Sequence, residues 1–198
     1  MGVLLSLCGP SGVGKSSLCA RLLGEFPRLA MSVSYTTRAP RGAEQDGVHY
    51  HFVTRGRFEE MAALGAFAER AEVHGNLYGT ARATIEGAWA SDRDVLFDID
   101  YQGAQQLRAA YPHARAVLLL PPSMEVLEAR LRGRGTDAPE VIERRLRKAK
   151  HELEQWESFD FALVNGDLEV AYGQLRAVYL ALRQQVHVMR PEVEALLR

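Results

Sequence analysis

The chain has 198 residues, 47% of them hydrophobic and 25% charged, which is the make-up of a soluble α/β protein with one sizeable core and excludes a disordered chain. Its longest apolar segment falls short of the ~20 residues that a membrane helix needs, so no membrane partner is expected. A formal net charge of -1 argues against the broad basicity of a nucleic-acid binder, so any phosphate recognition must be local.

In chain order, Val3 to Leu7 predicts a buried strand, and it leads directly into Gly9-Pro10-Ser11-Gly12-Val13-Gly14-Lys15-Ser16. That stretch fits the phosphate-loop pattern G-x-x-x-x-G-K-S/T, in which glycines turn main-chain N–H groups inward, a lysine reaches the β and γ phosphates and a hydroxyl ligates Mg²⁺. Leu18 and Leu22, flanked by Cys19 and Leu23, then form a helical stripe whose N-terminal dipole points at the anion. Strand, loop and helix stand in the order that distinguishes this motif from a chance glycine-rich turn. Cys8 and Cys19 have neither metal-ligand nor disulfide-framework spacing and are expected to be reduced core thiols. The short first apolar run has no basic leader, which predicts a cytoplasmic location. Met1-Gly2 with Ser6 formally fits a myristoylation pattern, but the same residues are needed as the first strand.

Between Ser32 and Gly79 the β-branched, tyrosine and turn residues predict a small mixed-β insertion. Further strands are expected at Asp94 to Asp100, Ala116 to Leu120 and Phe161 to Asn165, as continuous apolar runs typical of parallel strands covered on both faces. Between them the periodicity predicts helices at Gln102 to Ala110, Met124 to Arg132 and Pro139 to Glu157. One long final helix is expected with Leu168, Ala171, Leu175, Val178, Leu182 and Val186 on one stripe. Ser123 marks one helix start, and Asp137 with Glu140 reads as a reciprocal cap for the next. Alternating strands and helices imply a doubly wound parallel sheet. The arginine-dense stretch from Arg130 to Lys150, split by Gly133, Gly135 and Thr136, reads as a mobile helical flap. Interspersed Glu128, Asp137, Glu140 and Glu143 weaken a nucleic-acid reading of it.

A donor loop needs an acceptor site. Thr36-Thr37-Arg38-Ala39-Pro40-Arg41-Gly42 offers two arginines stiffened by proline, with the Tyr50 and Tyr78 hydroxyls as neutral partners for a second phosphate. An exposed basic turn is the plain alternative for such a pair. Glu69, within Phe67-Ala68-Glu69-Arg70, reads equally well as the edge of a solvated helix.

Several separated motifs together resemble the guanylate kinases over essentially the whole chain. The phosphate loop has the family form G-P-S-G-x-G-K-S at Gly9 to Ser16, the acceptor segment S-x-S-x-T-T-R-x-P-R runs from Ser32 to Arg41, and His49 to Val53 matches D/H-Y-x-F-V. G-N-x-Y-G-T stands at Gly75 to Thr80, D-I-D-x-Q-G at Asp98 to Gly103, P-P-S at Pro121 to Ser123 and R-L-x-G-R-G at Arg130 to Gly135.

The resemblance implies a P-loop nucleoside monophosphate kinase fold with residues 1–31, 90–124 and 159–198 as core, 32–89 as GMP-binding insertion and 125–158 as helical lid. It implies transfer of the γ-phosphoryl group from ATP to GMP, and to dGMP, with Mg²⁺. Gly9 to Ser17 and Asn165 are expected at ATP, with Ser16 on Mg²⁺ and Asp98 supporting the ion through water. Arg38, Arg41, Tyr50 and Tyr78 are expected at the GMP phosphate, and Ser34, Glu69, Gly79, Thr80 and Asp100 around guanine. Lys15, Arg38, Arg130, Arg134 and Arg145 carry the catalytic charge, whereas Arg132, Arg144, Arg147, Lys148 and Lys150 are read as solvated or ion-paired. A carboxylate at Glu69 suits guanine, whose N1–H and 2-amino group both donate, and penalises adenine, which presents a lone pair at N1.

Tyr35, Leu77 and the early glycine Gly42 depart from the family pattern, and the last puts the shape of the turn after Arg41 in question. Three histidines near the acceptor segment, His49, His51 and His74, are expected in packing or surface roles. The rivals are a non-catalytic guanylate-kinase-like interaction module, a kinase for a phosphorylated sugar, and a GTPase switch. The last lacks its N-K-x-D motif, since Asn165-Gly166-Asp167 has no lysine.

Overall fold

The computed structural model describes residues 2–73, 75–133, 135 and 137–198. In chain order its elements are β1 (Leu4–Cys8), α1 (Lys15–Glu25), β2 (Leu29–Met31), β3 (Tyr35–Thr36), β4 (His51–Phe52), α2 (Arg55–Ala63), β5 (Phe67–Val73), β6 (Asn76–Ala81), α3 (Arg82–Ala90) and β7 (Asp94–Phe97). There follow α4 (Tyr101–Ala110), β8 (Arg115–Leu120), α5 (Met124–Gly133), α6 (Pro139–Leu153), a 3-10 turn at Trp156–Ser158, β9 (Phe161–Val164), α7 (Leu168–Arg183) and α8 (Val186–Leu196).

The five core strands lie in the order β2-β7-β1-β8-β9, and all their pairings are parallel. Every residue of β1 is buried because its two faces meet different layers. Leu5 and Leu7 pack with Leu18, Leu22, Leu175 and Tyr179 of α1 and α7, while Leu4 packs with Ile85, Phe97 and Leu107 toward α3 and α4. That two-sided burial explains the continuous apolar runs of the core strands. Parallelism also brings the strand ends to one edge, so Gly9 after β1, Asp98 after β7 and Asn165 after β9 meet there. Ligands of open α/β sheets gather at such an edge.

The insertion is a mixed four-stranded sheet, β4-β3-β6-β5, with β3 parallel to β4 and antiparallel to β6. Phe58, Met61 and Phe67 bury its inner face with Tyr35 and Leu77 packed against them. α5 and α6 have a small core of their own, Leu127, Leu131, Ile142 and Ala149. Among the described residues no helix is long and apolar enough to cross a membrane. Cys8 and Cys19 are free and buried, and burial pushes the Cys19 thiol up to about 12, so neither is a reactive thiolate.

Four local expectations are corrected. β7 ends at Phe97, so Asp98 and Asp100 follow the strand, and Asp100 caps α4 by accepting from the Gly103 N–H at 3.0 Å. The last helix is two: Gln184 and Gln185 break it, and Val186 begins α8 at 84% exposure instead of continuing the buried stripe. Asp137 does not cap α6; Ala138 occupies that position without a side-chain bond, Pro139 starts the helix, and Asp137 pairs with Arg145. α6 also stops at Leu153, short of Glu157. Ser123 does cap α5, its hydroxyl accepting from Val126 N–H at 3.3 Å.

Candidate active site

Gly9, Gly12 and Gly14 all have positive φ, +136°, +89° and +106°, which winds the loop between β1 and α1 around its own N–H groups. Two neighbours lock that path. A Cβ at Gly9 would lie 2.5 Å from the Leu119 carbonyl oxygen, and one at Gly14 would lie 2.3 Å from Asn165 Nδ2. Lys15 Nζ donates to the Gly9 carbonyl at 2.6 Å and stands 3.9 Å from Asp98, so its charge is held over the loop mouth. Burial raises the Asp98 carboxyl above its usual range, with Lys15 opposing the rise. Asn165 donates to the Val13 carbonyl at 2.7 Å, and Arg130 donates to that carbonyl at 3.3 Å and to Asn165 O at 2.9 Å. Both side chains brace the loop from behind.

The acceptor segment is organised by Glu44, a residue that sequence reasoning passed over. Its carboxylate takes both Arg38 guanidinium nitrogens at 2.9 Å and the Arg41 N–H at 2.8 Å, closing the turn in which Gly42 adopts φ +54°. The turn after Arg41 therefore has its own tie. Arg38 is buried, stacked over Tyr50 at 5.3 Å and beside the Tyr78 hydroxyl, and Glu44 holds its guanidinium firmly protonated. Tyr50 and Tyr78 meet edge to face at 5.9 Å. Arg41 is exposed at the cleft.

Glu69 is buried at 4% exposure at the end of the same pocket. A bulge between Phe67 and Glu69 resets the alternation of β5, which is how a carboxylate follows two buried apolar residues on one strand. Burial raises its carboxyl above the usual glutamate range, Thr80 hydrogen bonds lower it, and the Asp100 charge adds to the rise. Ser34 and Thr80 share a hydrogen bond at 3.2 Å nearby, and Gly79 makes room for Phe58 and Phe67, which a Cβ there would approach to 3.1 and 3.0 Å.

The phosphate loop, Ser34, Arg41, Tyr50, Glu69, Tyr78, Asp98 and Asp100 line one cleft of about 650 Å³. Arg38, Arg130 and Asn165 stand behind this lining, tied to their partners. Arg145 enters it from α6, donating to Ser11 Oγ at 3.3 Å and pairing with Asp137 at 3.2 Å. Arg144, Lys148 and Glu152 also line it; Arg144 and Lys148 are exposed and Lys148 pairs with Glu152 at 3.5 Å, in keeping with the expectation of solvated or ion-paired residues. Their spacing of four along α6 is the signal that was available. Arg134, His74 and Thr136 lie outside the described residues. His49 accepts from the Gln45 N–H at 3.0 Å and His51 packs on Tyr35 at 4.6 Å between ring centres, which are packing roles.

A family model described as guanylate kinase matches residues 2–181. The chain belongs to the guanylate kinase family. It is 55% identical to a guanylate kinase of Nitratidesulfovibrio vulgaris over 90% of this chain and 86% of that one, and 50% identical to a guanylate kinase of Neisseria gonorrhoeae over 92% and 89%. Among solved structures it resembles guanylate kinase from Anaplasma phagocytophilum, with TM-score 0.75, 32% identity and coverage of 93% of this chain and 87% of that one. The SH3-kinase fragment of tight junction protein 3 shares the fold alone, at TM-score 0.55 and 12% identity over 93% of this chain and 58% of that one.

Within this guanylate kinase family member, the departures at Tyr35 and Leu77 serve the insertion's core. Tyr35 lies tilted against His51 and edge-on to Phe67, and Leu77 exchanges main-chain and hydroxyl bonds with Thr37 while its side chain packs inward.

Proposed function

We infer that the chain is an ATP:GMP phosphotransferase, moving the γ-phosphoryl group of ATP in line onto the GMP phosphate, with dGMP as a second acceptor. The observation that carries this reading is one cleft lined by a lysine-bearing phosphate loop at one end and by a buried carboxylate, Glu69, at the other, with tyrosines and arginines between. Gly9 to Ser17 hold the donor phosphates through main-chain N–H groups, and Lys15 balances their charge. Arg38, Arg41, Tyr50 and Tyr78 bind the acceptor phosphate, with Glu44 holding the Arg38 guanidinium in place at the pocket wall.

Ser34, Glu69, Gly79, Thr80 and Asp100 form the guanine end. A carboxylate there accepts from N1–H and the 2-amino group together, and rejects adenine because a buried acceptor would face a lone pair. The acceptor phosphate is already ionised near neutral pH, so the protein needs no side-chain base. Its residues orient two phosphates, exclude water and spread cationic charge over the transferring group. Arg145, with Arg130 and Arg134 by family correspondence, supplies that charge from residues 125–158, which act as a lid over the core formed by 1–31, 90–124 and 159–198. Residues 32–89 form the acceptor domain. Asn165 acts at the donor end by bracing the loop.

Ser16 and Asp98 are hard oxygen donors beside the loop, which suits Mg²⁺ held largely by substrate phosphates. When bound, that ion would supply neutralisation of the charge on the donor phosphates. A cytoplasmic location fits the need for ATP and GMP.

Coupled ADP release with Mg-ATP and each of GMP, AMP, CMP and UMP tests the reading. Turnover with GMP far above the other three is expected, and equal rates would defeat it.

A further inference from the structure

One face of α4 meets the acceptor insertion. Asp100 caps its first turn, Gly103 lies under Glu69, where a Cβ would come within 2.9 Å of Oε2, and Gln106 reaches the main chain of β5. These three positions recur every third residue, so they stack along one side of the helix. Gln106 makes a two-way contact there. Its Oε1 accepts from the Arg70 N–H at 3.0 Å, and its Nε2 donates to the Arg70 carbonyl at 2.9 Å.

β5 is the terminal strand of its sheet and pairs only with β6, so Arg70 presents outward the N–H and C=O that a further strand would take. A neutral side-chain amide carries both a donor and an acceptor, as a peptide unit does. Gln106 thus replaces a neighbouring strand at a single residue, next to Glu69.

We propose that Gln106 is a positioning residue for base recognition: its clip on Arg70 holds β5 at the distance from α4 that seats the Glu69 carboxylate over Gly103. The proposal rests on the reading of Glu69 as the guanine-binding acid. A carboxylate that must meet two donors on one base edge tolerates little displacement, so loosening the strand beside it weakens GMP binding and blurs base choice. ATP, held by the loop on the other side of the cleft, is indifferent to it.

Gln106→Leu keeps the stem and removes both hydrogen bonds, while Gln105→Leu, on the exposed neighbour, controls for the added apolar group. In Gln106→Leu the KM for GMP is expected to rise on the order of ten-fold, the KM for ATP to stay within about two-fold, and discrimination against IMP, which lacks the 2-amino group, to shrink. Exchange of the Arg70 amide hydrogen should accelerate in the same variant and not in Gln105→Leu. Gln106→Glu, which keeps the acceptor but sets a carboxylate against the Arg70 carbonyl, should fall on the same side. Faster exchange with an unchanged KM for GMP would overturn the proposal, as would equal changes in both KM values together with thermal midpoint. Failure of the unmodified enzyme to use GMP would instead defeat the guanine reading, and it would be evident before any variant is made.

Discussion

Asn165 Nδ2 occupies the space that a side chain on Gly14 would need, 2.3 Å from the position of such a Cβ, and from there it donates to the Val13 carbonyl at 2.7 Å. The end of the last core strand therefore sets the curvature of the phosphate loop. Gly14→Ala meets both this obstruction and a φ of +106°, which alone costs about 1–3 kcal/mol for a residue with a side chain. Loss of ATP binding and a lower thermal midpoint are expected. Adding Asn165→Ala should restore part of the midpoint by removing the obstruction, and calorimetric ATP affinity should remain poor because the backbone strain persists.

Glu69→Gln separates function from stability. The amide keeps the shape but offers one donor where guanine needs two acceptors, so kcat/KM for GMP is expected to fall about 10²- to 10⁴-fold with ATP affinity kept. In the folded chain, burial raises the Glu69 carboxyl, so it retains a proton where the unfolded chain has released it. Through the window between its ordinary and its raised value, unfolding free energy therefore falls as pH rises. GMP affinity moves oppositely, rising with pH as the carboxylate forms. Thermal midpoints and KM for GMP measured against pH should show both limbs in the unmodified protein, and Glu69→Gln should flatten them.

What the sequence made legible divides along physical lines. β1, the loop and α1 were legible because each residue type there has a separate duty, and the core strands because burial on both faces leaves unbroken apolar runs. Asp98 and Asp100 were read onto a strand because Asp94 to Asp100 has no glycine or proline and Ile99 prolongs its apolar run. The stop at Phe97 comes from Asp100 capping the next helix, a choice between two uses of one aspartate. The break at Gln184 was hidden because Val186 continues the helical spacing, yet it is exposed and the chain returns to the core only at Val188, on α8. Glu44, Lys148 and Glu152 are common charged residues whose local ion pairs, with Arg38 and with each other, look like ordinary surface pairs, and Gln106 bonds main chain 36 residues away. Only the fold brings Gln106 to Arg70.

Glu44→Gln tests the acceptor turn. Its carboxylate is held below the usual glutamate range by the Arg38 guanidinium and by the Arg41 N–H. The amide cannot hold the guanidinium by two charged bonds, so the turn should loosen and KM for GMP should rise several-fold at constant KM for ATP. Tighter GMP binding in this variant would mean that Glu44 competes with the acceptor phosphate for Arg38.

Asp94 carries stability. Fully buried at the start of β7, it accepts from the Val3 N–H at 2.8 Å, the Tyr179 hydroxyl at 2.7 Å and Arg183 at 3.1 Å, tying β1 and α7 to the sheet. Asp94→Ala leaves a buried donor set and an arginine unpartnered, and should cost about 3–5 kcal/mol in urea unfolding, while KM for GMP and ATP stay unchanged below the new midpoint.

A crystal structure with GMP and a non-hydrolysable ATP analogue bears most directly on the two facing anion sites. The expected result has the GMP phosphate at Arg41, Tyr50 and Tyr78, its base edge within about 3 Å of both Glu69 carboxylate oxygens, and the γ-phosphate beside Lys15. A monophosphate bound elsewhere, or a Glu69 carboxylate with no contact to the base, would contradict it.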